Sequence, residues 1–168
     1  MSVSVTANLT RYKNFINLIC FVATIICSSN LFAYSDHNSN FAIKIYLQTQ
    51  NVDVFQNGIL LKTIPCSTGI KPGLTKPGKF AISFRKPKST WIEKHDGTEE
   101  EISYYYITVF NDPNAFHSMI EGNHPLVDEG KKLFSERKPS SLGCIRLRKE
   151  DAKWIYNLPI GTPVEVID

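Results

Sequence analysis

The sequence predicts a mainly β domain with one or two short helices near its C-terminus, and three observations carry that expectation. Residues 41–47 (FAIKIYL) place Ile43, Ile45 and Leu47 two apart, the period of a half-buried strand. Asn57-Gly58 lies between the apolar stretches 52–55 (VDVF) and 59–64 (ILLKTI). Asn-Gly is a strong hairpin signal because both turn residues must accept positive φ. Residues 104–110 (YYYITVF) are dense in aromatic and β-branched side chains, which suits a central strand.

In chain order, residues 1–33 read as an export signal. Arg11 and Lys13 form a positive start, residues 15–27 are an apolar run, and Ala33 supplies a small residue at a plausible cleavage point. The run falls short of the ~20 residues that a bilayer-spanning helix needs, so no stable membrane insertion is expected after cleavage; a signal retained as a membrane anchor is the alternative. Cys20 and Cys27 leave with the signal, and Cys66 and Cys144 remain. Residues 34–40 are a polar linker, and residues 41–168 form one domain. After the first three strands, Ser67-Thr68-Gly69 and Lys76-Pro77-Gly78 mark turns, and Lys79 to Phe84 is expected as a strand. Glu99 to Glu101 is expected in a solvated loop, and Trp91 with Tyr104, Tyr105 and Tyr106 in the core. Ala115 to Ile120 continues as a strand after the turn Asn111 to Asn114. Helices are expected over Leu126 to Arg137 and Lys149 to Asn157; the second has acids in its first turn and Pro159 just beyond its end. Residues 164–167 close the domain as a last strand.

At 168 residues, 42% hydrophobic and 21% charged, the chain can bury one core. Beyond residue 33 the balance is 17 basic against 16 acidic residues. A near-neutral body is no electrostatic footprint for nucleic acid. No His/Cys cluster has metal-ligand spacing, so neither a metal nor a cofactor is expected.

Two cysteines in an exported chain fit a disulfide, or one buried and one reactive thiol, and their spacing leaves both open. The surroundings of Cys144 favour reactivity. Gly143 opens an approach to the sulfur, backbone N–H groups near Gly143 and Cys144 suit an oxyanion, and Arg146 shares a side with Cys144 in an extended segment. A nearby guanidinium favours thiolate and binds carboxylate. The same pattern also fits a buried structural cysteine beside an exposed arginine.

Ser141-Leu-Gly-Cys-Ile-Arg-Leu147 resembles the S-H-G-C-[IV]-[RN]-L signature of the L,D-transpeptidase (YkuD-type) catalytic domain. Phe116-His117-Ser118 is similar to the family's F-H-S element, and Ser67-Thr68-Gly69 with Thr75-Lys-Pro-Gly78 to its S-T-G and T-P-x-G segment. Glu150 to Tyr156 and Gly161 to Val164 resemble the helix and closing strand that end the domain. The resemblance spans essentially residues 41–168. It implies a β-sandwich or flattened barrel and an envelope enzyme, periplasmic or secreted, acting on peptidoglycan stem peptides. It implies Cys144 as nucleophile, His117 as general base oriented by the Ser118 carbonyl, and Gly143 in the oxyanion hole. Arg146, with Ser141 and Leu142 beside it, is implied on the substrate side. The implied reaction is a 3→3 cross-link through a thioester, with an envelope protein as a further possible acceptor. A carboxypeptidase or endopeptidase on the same peptides shares the thioester, and an inactive peptidoglycan-binding module is the alternative of another class.

Two features depart from the family pattern. Leu142 stands where the family usually has histidine, and the interval from His117 to Ser141 is longer than usual, which makes residues 120–138 an insertion and a candidate lid. His124 is a rival base in a Gly-Asn-His-Pro loop; His117, at the end of an apolar strand, is the expected one. His37 and His95 are expected at the solvent, and Cys66 as a quiet, buried thiol.

Overall fold

The computed structural model describes residues 39–168. The signal and cleavage point expected within residues 1–33, most of the linker and His37 lie outside the described residues.

Among the described residues, nine strands and two helices follow in order: β1 Phe41–Tyr46, β2 Asn51–Gln56, β3 Ile59–Pro65, β4 Gly78–Ala81, β5 Phe84–His95, β6 Thr98–Asn111, β7 Asn114–Ser118, α1 Pro125–Ser135, β8 Ile145–Leu147, α2 Lys149–Tyr156 and β9 Pro163–Ile167. They form a five-stranded sheet, β3-β2-β1-β9-β4, and a four-stranded sheet, β5-β6-β7-β8. The pairs β1–β9 and β7–β8 are parallel and the others antiparallel. Alternate residues of β1 and β2 point inward, burying Ile43, Ile45, Val52 and Val54 against Phe110, Phe116, Ile145 and Leu147 of the second sheet. Helix α2 adds Ala152 and Ile155 to that core. Its buried Asp151 is paired with Lys62 of β3 at 2.5 Å, so the carboxylate is not left alone in the interior.

Asn57 (φ 51°) and Gly58 (φ 78°) form the β2–β3 turn in the left-handed pair of conformations that their identity predicts. Three expectations are corrected. The strand expected over Lys79 to Phe84 ends at Ala81, because the chain changes sheets there: Ile82 N–H donates to Thr162 O at 2.9 Å and Ser83 N–H to Val109 O at 2.8 Å. Glu99 to Glu101 are strand rather than loop, since β6 begins at Thr98 and pairs with β5 along a long ribbon. Lys94 faces Glu99 there at 2.7 Å. Trp91 and Tyr104 are half-buried rather than interior, packed on a small cluster of Ile102, Ile120 and Val127.

Candidate active site

The register of β7 and β8 brings the expected residues together. Phe116 pairs with Ile145 and His117 with Arg146. Phe116, Ile145 and Leu147 turn into the core. Alternation then puts His117, Cys144 and Arg146 on the opposite face of the same parallel pair. This is why an extended Gly-Cys-Ile-Arg-Leu run serves here: its apolar residues anchor the strand and its polar ones share the other side.

His117 is buried, and its Nδ1 lies 2.6 Å from Ser118 O. A carbonyl only accepts, so Nδ1 carries the proton and Nε2 keeps a lone pair. The ring of Tyr104 lies against the imidazole, with centroids 4.6 Å apart. Burial drives the His117 pKa from 6.5 down to about 4; the Ser118 contact opposes the shift and the Arg146 charge adds to it. Cys144 is half-buried and unpaired, and its thiol is directed at Pro113 O at 3.9 Å. Burial raises its pKa, partly offset by a hydrogen bond from the Ala115 backbone and by Arg146. The resting pair is therefore a neutral thiol and a neutral imidazole.

The loop before Cys144 is clamped from inside. Ser141 Oγ donates to Cys144 O at 2.6 Å and accepts from Gly143 N–H at 3.0 Å. Thr75 Oγ1 accepts from Gly69 N–H at 2.9 Å and donates to Gly143 O at 2.8 Å. Asn114 Nδ2 donates to Leu74 O at 3.0 Å. Gly143 has φ +129°, and a Cβ on it would stand 2.5 Å from Asn114 Oδ1 and 2.7 Å from Leu74 O. Glycine is needed here for the backbone itself, a different reason from the open approach to sulfur expected from sequence. Ser141 has its hydroxyl engaged within the loop, and the residue also borders the cavity beside Arg146.

Arg146 Nη1 donates to Ser140 O at 3.0 Å, and its buried Nε has no partner. The guanidinium borders a cavity of about 370 Å³ together with Trp91, Leu126, Leu133 and Leu142. Leu142 is 86% exposed on its rim, so its side chain supports nothing inside the loop. Residues 120–138 form a packed wall of this cavity. Val127 of α1 is buried with Ile102 and Ile120, and Gly130 lets the helix approach Arg146, since a Cβ there would lie 3.3 Å from Nη1.

His124 is placed elsewhere, as the N-cap of α1. Its Nδ1 accepts from Leu126 N–H at 3.1 Å, so the neutral ring carries its proton on Nε2 and has no lone pair free for a thiol proton. His95 is half exposed. Cys66 is fully buried, and burial raises its pKa to about 12. Thr75, Asn114 and Tyr104 were not singled out as site residues from sequence. Thr75 lies between Gly73 and Gly78 and Asn114 ends the Asn111–Asn114 turn, settings in which short polar side chains clamp irregular backbone.

An accessible thiol beside an oriented, neutral imidazole and a guanidinium suits acyl transfer through a thioester. The sequence matches the family model of the L,D-transpeptidase catalytic domain (YkuD) over residues 40–166, and the chain belongs to that family. That family is one of acyltransferases. No curated protein matches the chain. Among solved structures it is similar to an L,D-transpeptidase from Mycobacterium smegmatis, with 19% identity, TM-score 0.59, and coverage of 77% of this chain and 59% of that one. L,D-transpeptidase 3 from Mycobacterium tuberculosis, in complex with a faropenem-derived adduct, gives 20% identity, TM-score 0.58, and coverage of 77% and 61%. A fused zinc-dependent amidase/peptidase/peptidoglycan-binding domain-containing protein from Clostridium acetobutylicum ATCC 824 gives 27% identity, TM-score 0.56, and coverage of 76% and 52%. The chain thus spans between half and two thirds of the length of these proteins.

Proposed function

We propose that this protein is an exported cysteine L,D-transpeptidase that joins peptidoglycan stem peptides. Cys144 Sγ attacks the carbonyl of the third stem residue while His117 Nε2 takes the thiol proton. The C–N bond to the terminal D-alanine breaks, and His117 returns the proton to the departing amine. The thioester is then attacked by the side-chain amine of a second stem. The S–C bond breaks, a 3→3 amide forms, and the proton lost by the amine passes through His117 back to sulfur. The observation that carries this reading is the His117 Nδ1–Ser118 O contact on the face shared by Cys144 and Arg146. It fixes the one tautomer that can accept a thiol proton.

A neutral resting pair fits this sequence of events, because the thiolate is needed only as attack begins. Since Gly143 N–H is committed to Ser141 Oγ, the Cys144 N–H is the donor closest to the developing oxyanion, and Gly143 contributes shape. The exposed Leu142 side chain leaves that backbone donor untouched, which favours an active enzyme over an inactive module. Arg146, held by Ser140, has N–H groups left for a substrate carboxylate.

The test is acylation by a carbapenem, read by mass spectrometry. One adduct on Cys144 is expected, absent in Cys144→Ala. General-base help is worth ~10²–10⁴-fold, so His117→Ala should nearly abolish acylation while His124→Ala leaves it within a few-fold. An adduct on Cys66, or a crippled His124 variant beside an active His117 variant, would overturn the assignment.

A further inference from the structure

On the outer flank of α1 lies a second cavity, of about 280 Å³, unrelated to the clamp around Cys144. Lys131, Arg137 and Arg148 border it above a half-buried floor of Pro65, Met119 and Phe134. Among the described residues no acidic one lines it. Asp128 lies 3.6 Å from Lys131, both well exposed, so one of the three cations has an acidic neighbour at the cavity's edge, while Glu136 holds Lys138 at 2.8 Å. Among the described residues Arg148 has no carboxylate partner.

Arg137 carries a second, independent mark. It occupies the residue after the C-cap of α1, with its N–H on Phe134 O at 3.1 Å and the next N–H, of Lys138, on Leu133 O at 2.8 Å. That arrangement requires a left-handed residue and ordinarily uses glycine. Here an arginine takes φ +57°. Its Nη1 donates to Asn51 Oδ1 at 2.7 Å and to Gln50 O at 3.3 Å, and the residue borders the cavity. A side chain kept at a strained position points to a use for that side chain.

The cavity also continues from the catalytic strands. Met119 follows β7 and Arg148 follows β8, and both strands run from the site toward it. Arg148 lies four positions beyond Cys144, roughly 13 Å of extended chain. We propose that this cavity binds a carboxylate of a neighbouring stem peptide on polymeric peptidoglycan, holding the polymer while another stem occupies Cys144. This rests on the peptidoglycan reading above. Arginine forks suit carboxylate, and the apolar floor suits the aliphatic part of the peptide that carries it.

Purified sacculi provide the test, by co-sedimentation in a Cys144→Ala background that prevents turnover. Lys131→Glu and Arg148→Glu should each weaken binding about fivefold or more at low salt, and the parent's binding should fall as salt rises. The same substitutions in the Cys144 protein should leave carbapenem acylation unchanged, which also controls for folding. Sacculi stripped of phosphate polymers by hydrofluoric acid should bind fully, and sacculi with amidated carboxylates should not. Parent-like binding by both variants, no binding by the parent, or binding lost with the phosphate would each overturn the proposal. Normal acylation of Cys144 alongside such a result sinks only this site; failed acylation sinks the peptidoglycan reading itself.

Discussion

Replacing Gly143 by alanine adds one methyl group at the point where the loop becomes the catalytic strand. The new Cβ would stand 2.5 Å from Asn114 Oδ1 and 2.7 Å from Leu74 O, in a backbone with φ +129°. Neither neighbour is free to retreat. Asn114 is buried and bonded to Leu74 O, and Gly143 O is held by Thr75. Backbone strain of this kind costs ~1–3 kcal/mol, and forced overpacking ~1–3 kcal/mol. The sum, about 2–6 kcal/mol, is a large share of the ~5–15 kcal/mol that holds a domain folded. If the loop yields instead, Cys144 moves, and a misplacement of about 1 Å costs roughly 10²-fold in rate. Urea denaturation together with carbapenem acylation kinetics reads both outcomes. Gly143→Ala should lose at least about 2 kcal/mol of stability or about 10²-fold in acylation. A variant with parental stability and parental acylation would refute this account of the loop.

Two other predictions concern ionisation. Unfolded His117 binds a proton below its ordinary 6.5, whereas the folded ring does so only near 4. Acidification between those values therefore favours the unfolded chain, and stability should fall by up to about 3 kcal/mol, at ~1.4 kcal/mol per pH unit. The difference in melting temperature between the parent and His117→Gln, followed from pH 7 to 4, should carry that slope; parallel curves would contradict the buried, neutral imidazole. Cys66, fully buried and pushed to about 12, should escape iodoacetamide at pH 8 while Cys144 is alkylated, as peptide mapping would read; labelling of both in the folded protein would contradict their placement.

Much of this fold is legible in the sequence because its signals are local. Asn57-Gly58 dictates a hairpin through φ alone, β1 shows its buried face by alternation, and Pro159 and the acids at Glu150 and Asp151 frame α2. The β5–β6 ribbon is less legible, since β5 is mostly solvent-exposed and has no apolar period. The cue was Asp96-Gly97, which takes the same left-handed turn as Asn57-Gly58 (φ 49° and 79°) and which turns Glu99 to Glu101 into strand. At the site, Cys144, His117 and Arg146 are marked by motif. Of the parts that hold them, Ser141 lies in the motif and clamps its own loop, whereas Thr75 and Asn114 act through contacts to Gly143 and Leu74 far away in sequence, with no periodicity to announce those contacts.

The central claim, that Cys144 takes up a stem peptide and passes it to an amine, is tested most directly by mass spectrometry of tetrapeptide muropeptides incubated with the purified protein. The account predicts a thioester on Cys144 with release of D-alanine, followed by 3→3 dimers. Tripeptide monomers without dimers would replace the transferase by a hydrolase on the same thioester. Unchanged muropeptides with an unmodified Cys144 would contradict the claim outright.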